Sequence, residues 1–263
     1  MTKAERLDKV LSNLGYGSRS EIKKDISLGK ILVNGIVSKD PAKKVFLTDS
    51  IQYGDEILKR KEHYYFQMNK APDCITATED KREKTVMDYL IGRHKKMNLF
   101  PVGRLDKETE GLLIFTTDGK FAHLYTSPKH LIDKEYYVEV EGILEQSDID
   151  AFESGVTLDD GYKTLPGRLI LLEQKDSIST TQDSISIREE DVGNSTSEST
   201  KLSYAKVIIR EGKNRQIRRM FQSLGKSVLY LRREKMGSIV LDPNLKVGEY
   251  RELSEREIQS FFH

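Results

Sequence analysis

A chain of 263 residues with 37% hydrophobic residues can build a sizeable core, and the division expected here is a small module followed by a larger domain. No apolar run approaches the roughly 20 residues that span a membrane, and Met1-Thr2-Lys3-Ala4-Glu5 lacks the apolar core of a signal peptide, so a cytoplasmic chain with no membrane partner is expected. The single cysteine, Cys74, excludes an intramolecular disulfide and a cysteine-cluster metal site, and it reads as an inert buried thiol.

The formal net charge of +1 hides a strong segregation. Residues 1–61 carry 13 Lys+Arg against 8 Asp+Glu (+5), residues 206–236 carry 10 against 2 (+8), and residues 139–200 carry 4 against 15 (−11). Such a pattern predicts basic faces able to follow a phosphate backbone, with the acidic stretch facing away from that backbone.

Leu7, Val10, Leu11 and Leu14 form the stripe of an amphipathic helix running from Ala4 to Leu14 and ended by Gly15. Ser18 and Glu21 form a capping box for a second helix reaching about Leu28. Lys30 to Val37 reads as strand, Asn34-Gly35 turn, strand. Lys59-Arg60-Lys61-Glu62 reads as the linker, so residues 1–61 form the module and 62–263 the larger domain. His63 to Met68 is expected to be its first strand, Asn69-Lys70-Ala71-Pro72 the following turn, and Val86 to Ile91 a short helix. Gly103 marks a turn or close approach, and Gly111 opens the buried strand Leu112-Leu113-Ile114-Phe115. From Lys134 to Gly142 the chain alternates, placing Tyr136, Val138 and Val140 on one face and Tyr137 with the glutamates on the other. Residues 174–203 are rich in Ser, Thr, Asp and Glu and contain the near-repeat of 176–179 at 183–186, which predicts an acidic mobile loop or extended hairpin. Ile217, Met220, Phe221 and Leu224 form a helix stripe, with Asn214 as its expected cap and Gly225 as its end.

Within Pro101 to Leu113, Asp106 is a carboxylate in a loop braced against the core. In an extended segment Arg104 leaves on the same face, so the two read first as an ion pair. The runs Gly103-Arg104-Leu105-Asp106, Thr109-Glu110-Gly111-Leu112-Leu113 and TTDGKFAH resemble the pseudouridine synthases of ribosomal RNA, specifically the Rsu/RluB-type branch. RLDKVLSNLGYGSR and GKILVNG, within residues 4–60, resemble the α-L RNA-binding module of a ribosomal small-subunit protein.

These resemblances imply an α+β protein, with a small N-terminal α-L RNA-binding module and a pseudouridine synthase domain built on a mostly antiparallel sheet with flanking helices. They imply Asp106 as catalytic residue and, from the Lys-x-Tyr-x-Val motif, Tyr136 as the ring that stacks on the target base; by pattern alone Tyr136 is a core residue. Asn214 to Met220 resembles the third family motif, which makes Arg218 the cation facing Asp106 and releases Arg104 to fill the space a flipped base vacates. Phosphate contacts are expected from Arg6, Lys9, Arg19, Lys23, Lys24 and Lys30 in the module and from Lys213, Arg215 and Arg219.

No cofactor is implied, because the isomerisation has no net redox change, and the five histidines show no metal spacing. Asp106 with Glu108 or Glu110 fits a glycosidase poorly, since these carboxylates share one loop. The expected partner is ribosomal RNA or a ribosomal subunit assembly intermediate, bound by a monomer. ATEDKREKTVMD, GVTLDDGYKTLP and GEYREL resemble the small-subunit (16S) enzymes, whereas KNRQIRRM resembles large-subunit (23S) members. A non-catalytic ribosome-binding protein of the same fold is the remaining alternative.

Overall fold

The computed structural model describes residues 4–177 and 200–261. The chain divides into two compact units, one of Met1–Glu108, Leu113–Thr126 and Asp242–His263, the other of Thr109–Leu112 and Ser127–Leu241.

The first unit begins with the module: β1 (Glu5–Arg6), α1 (Leu7–Asn13), α2 (Arg19–Ser27), β2 (Ile31–Val33), β3 (Ile36–Val37), β4 (Lys44–Val45), β5 (Ile51–Tyr53) and β6 (Glu56–Ile57). The first helix is shorter than its apolar stripe suggests, because Glu5 and Arg6 pair with Val45 and Lys44 and are drawn into a strand. Around α2 the expected capping box is complete, with Ser18 and Glu21 each satisfying the other's backbone N–H. Asn34 and Gly35 both have positive φ, at 52° and 78°, which suits the tight turn joining β2 to β3. Leu7, Leu11, Ile22, Ile26, Ile31, Val33, Val45, Ile51 and Leu58 make the module's core.

The same unit continues through β7 (Tyr65–Lys70), β8 (Phe100–Pro101), the part of β9 (Glu110–Thr116) from Leu113 onward, and α3 (Gly119–Thr126). β7 runs two residues past the expected end at Met68. Asn69 and Lys70 are buried, and Asn69 is fixed by its N–H to Glu249 O and its Nδ2 to Leu245 O, so the turn moves to Pro72-Asp73, where Asp73 has φ 59°. The helix expected at Val86 is a single 3-10 turn, Val86–Tyr89.

The second unit carries β10 (Lys134–Glu141), α4 (Gln146–Ser154), β11 (Arg168–Ser177), β12 (Thr200–Ile209), α5 (Gln216–Ser223), β13 (Ser227–Met236) and β14 (Ile239–Val240). The strand order β11-β12-β10-β13 is antiparallel throughout, and Glu110 and Gly111 of β9 pair in parallel with Arg232 and Arg233. The Ser/Thr-rich segment starts and ends in the paired strands β11 and β12, with Ser177 opposite Thr200; residues 178–199 lie outside the described residues. Phe152 of α4 and Phe221 of α5 meet at 5.1 Å over the sheet's buried face. The chain closes in the first unit with β15 (Tyr250–Glu252), antiparallel to β7, and α6 (Glu255–Gln259). Among the described residues no helix is long and apolar enough to cross a membrane.

Candidate active site

Asp106 is half-buried in the loop between β8 and β9. Both sides of it are fastened. The Thr76 hydroxyl accepts from Leu105 N–H at 3.1 Å and donates to Leu105 O at 2.9 Å, while Lys70 Nζ donates to Lys107 O at 3.1 Å and to Ala71 O at 2.9 Å. Lys70 is fully buried, and that burial pulls its ammonium below the usual lysine range against the charges of Cys74, Asp106 and Glu108. In the sequence Lys70 reads as a turn residue and nothing marks Thr76; the structure places Lys70 at the end of a strand whose six residues are all buried. Arg104 is exposed, and among the described residues it makes no ion pair with Asp106. Cys74 is a free, buried thiol whose pKa burial raises, as its inert reading requires.

In the second unit the alternation of β10 appears as read. Tyr136, Val138 and Val140 are buried, and Tyr137 lies on the other face, its hydroxyl donating to Glu139 at 3.2 Å. Tyr136 stands between Val207 on β12 and Arg233 on β13, and a bulge at Glu234 resets the β13 register beside it. Arg218, half-buried on α5, donates from Nη1 to Val228 O at 2.8 Å.

The loop leading into α5 is held by Glu211, which is buried and accepts from Tyr162 Oη at 2.7 Å, Leu165 N–H at 2.8 Å and Gln216 Nε2 at 2.9 Å. Gln216 Oε1 in turn accepts from Lys213 N–H at 2.9 Å. Asn214 is therefore not the cap. Arg215 takes that place, at φ 48°, with no side-chain cap bond. A non-glycine residue in the left-handed region is uncommon outside turns and functional loops. GVTLDDGYKTLP, distant in sequence, supplies the Tyr162 and Leu165 contacts and also binds Arg219 through Asp159 and Asp160.

Part of the acidic stretch is folded against the basic one. Within the second unit Asp148 pairs with Lys226 at 3.1 Å and Asp159 and Asp160 hold Arg219, because folding α4 and the following loop against α5 places opposite charges together. Lys213 lies over the Tyr162 ring, 4.4 Å from its centroid. The module's cations divide in the same way. Arg6 binds the inaccessible Asp8 through Nε and Nη2 at 3.0 and 2.9 Å, and that bond keeps the Asp8 carboxyl below its usual range. Arg19 approaches Asp8 at 3.9 Å, Lys9 pairs with Glu5 at 2.7 Å and Lys30 with Asp25 at 2.6 Å. Lys23 and Lys24 are exposed and make no ion pair among the described residues.

A model of the RNA pseudouridylate synthase family matches residues 64–223, and one of the S4 domain matches residues 5–51. An uncharacterized RNA pseudouridine synthase of Bacillus subtilis is 38% identical over 96% of both chains. Ribosomal large subunit pseudouridine synthase B of Bacillus subtilis is 34% identical over 97% of this chain and 94% of its own. Ribosomal small subunit pseudouridine synthase A of Pseudomonas aeruginosa is 32% identical over 97% and 99%. The chain belongs to the RNA pseudouridylate synthase family and carries an S4 domain ahead of the region that matches that family.

Proposed function

We propose that this chain converts a specific uridine of 16S ribosomal RNA to pseudouridine, with Asp106 as the catalytic residue. The observation that carries this reading is the double fastening of the Asp106 loop, by Thr76 before it and Lys70 after it, inside the stretch that matches the synthase family. A carboxylate so held is pre-positioned, and positioning is where a single-residue catalyst gains most. The reaction breaks the bond between the sugar and the base nitrogen, turns the base, and joins the same sugar carbon to carbon-5, whose proton leaves while the freed nitrogen takes one up. Asp106 serves as nucleophile toward the sugar or as base for a sugar proton. Extruding the uridine costs a few kcal/mol, offset by stacking on Tyr136 and by Arg104 entering the vacated space. Arg218 is assigned to face the carboxylate.

Residues 1–61 act as the RNA-binding module and 62–263 as the catalytic domain. Arg6, Lys9, Arg19, Lys23, Lys24, Lys30, Lys213, Arg215 and Arg219 lie along the path of the phosphate backbone of ribosomal RNA or a subunit assembly intermediate, met by a cytoplasmic monomer. A 23S substrate is the second reading, favoured by KNRQIRRM and by the 34% identity to a large-subunit enzyme. Pseudouridine mapping of both RNAs from cells lacking the gene tests the assignment: one 16S position should revert to uridine and return with wild type but not with Asp106→Asn. Loss of a 23S position selects the second reading, and no lost position refutes both.

A further inference from the structure

The face of the second unit that carries Tyr136 also carries two cations without a carboxylate. Lys134 precedes Tyr136 by two residues on the same face of β10, and Arg233 stands directly across from Tyr136 on β13. Arg233 is only 1% exposed. Its Nε donates to Leu112 O at 2.7 Å, and its buried Nη2 has no hydrogen-bond acceptor among the described residues. Lys134 is half-buried, and its Nζ reaches a backbone carbonyl, Ile132 O, at 3.1 Å.

The neighbouring acids are already committed. Asp133 pairs with Arg210 at 2.8 Å, and Glu211 accepts from Tyr162, Leu165 and Gln216. Burial first, and the Arg233 charge second, push the Lys134 ammonium down to about 8. Two neighbouring cations withdrawn from water without a counter-ion destabilise the free protein, which points to an anion from outside the chain.

We propose that Lys134 and Arg233 form the seat of a phosphodiester flanking the target uridine, Lys134 touching it from the accessible edge and Arg233, shielded from solvent, adding its charge from beneath. The proposal rests on Tyr136 stacking the target base. Side chains directly across a strand pair, or two residues apart on one strand, are near neighbours on the sheet, so a nucleotide whose base lies on Tyr136 brings its own linkages over these two cations. An ammonium donor backed by a second, buried positive charge matches a phosphate anion better than it matches a neutral uracil carbonyl. Seating the linkage holds the sugar in place while the base leaves its stack. Both residues are therefore positioning residues.

The test uses the uridine trinucleotide with two phosphodiester linkages and its analogue with two uncharged methylphosphonate linkages, titrated into the full chain and followed by NMR. Wild type should bind the charged form about tenfold more tightly, the scale of one charge-assisted hydrogen bond. Lys134→Gln and Arg233→Gln should each lose most of that preference, Arg233→Lys should keep part of it, and Lys246→Gln, at an exposed lysine with no assigned RNA role, should leave it intact. Equal binding of the two trinucleotides by wild type, or an undiminished preference in Lys134→Gln, overturns the proposal. Lys134 is half-exposed, so its variant is informative even if Arg233→Gln fails to fold. Turnover of ribosomal RNA by wild type is measured in parallel: its absence counts against the function, whereas retained turnover without a charge preference counts against the phosphate seat alone.

Discussion

Replacing Gly111 by alanine should damage the fold more than any other single methyl added to the Asp106 region. Gly111 has φ 98°, and a Cβ built there lies 2.2 Å from Arg233 O and 2.8 Å from both Arg233 N and Arg232 Cγ. Two of those three atoms are backbone of β13, paired to β9 at this residue, so no side-chain rotation relieves the contact. An L side chain in the left-handed half of the map costs about 1–2 kcal/mol, and forcing a packed strand aside costs about 1–3 kcal/mol more. The expected loss is about 2–5 kcal/mol, or a Tm lower by about 4–20 °C for a chain of this size. Gly119 is the control. It opens α3 with no positive φ and nothing within 4 Å of its would-be Cβ, so Gly119→Ala should gain about 0.4–1 kcal/mol. Urea unfolding followed by circular dichroism measures both. A Gly111→Ala protein within about 1 kcal/mol of wild type would refute the close-approach argument.

Lys70→Met should lower turnover by about 100-fold through displacement of the Asp106 loop, while trinucleotide affinity stays within about twofold; unchanged turnover would show that the Lys107 carbonyl needs no anchor. Lys23→Gln and Lys24→Gln should each reduce the log-log salt dependence of RNA binding by up to about 0.7, whereas Arg6→Gln should act chiefly on Tm, because it strips the inaccessible Asp8 of its main partner. Glu257, bound by Arg251, has its pKa lowered from 4.5 to about 2. A depressed carboxylate contributes stability that is full above its unfolded pKa and lost as pH falls toward the folded one, so the Tm gap between wild type and Glu257→Gln should be widest above pH 4.5 and close near pH 2. A gap independent of pH would place the effect in packing rather than charge.

Elements with one wet face were legible in the sequence. The alternation of β10 fixed which side of the strand Tyr136 occupies, and Ser18 with Glu21 fixed the start of α2. β7 was less so, because all six of its residues are buried, leaving no polar alternation, and its last two, Asn69 and Lys70, look like turn residues until the long-range partners that satisfy them are known. Glu5 and Arg6 read as helix for a similar reason: the strand that captures them is about forty residues away. At the candidate site, the motif residues Asp106, Tyr136 and Arg218 stood out. Their supports did not: Thr76, Glu211 and Gln216 act through hydrogen bonds to backbone and side chains distant in sequence or to each other, and no local pattern marks such bonds in advance.

Charge counts along the chain misjudge the RNA-facing surface for the same reason. Residues 206–236 hold ten cations against two acids, yet Lys206, Arg210, Arg219, Lys226 and Arg232 are each bound by carboxylates within the second unit. Half of the apparent excess is thus neutralised before any RNA arrives, and surface pairs of this kind contribute little to stability at ordinary salt. Lys134 and Arg233 differ in kind. They lie on the buried face, the nearby acids are occupied by other donors, and burial pulls the Lys134 ammonium down to about 8, where it is still charged at neutral pH. A protein shaped by stability alone would fill those positions with apolar side chains of similar volume, which commonly replace buried charges at no loss. Retaining two uncompensated cations beside Tyr136 makes sense where the missing charge is delivered by the substrate, so that the penalty carried by the free protein is relieved only when RNA is bound, and binding favours a strand whose linkage reaches that place.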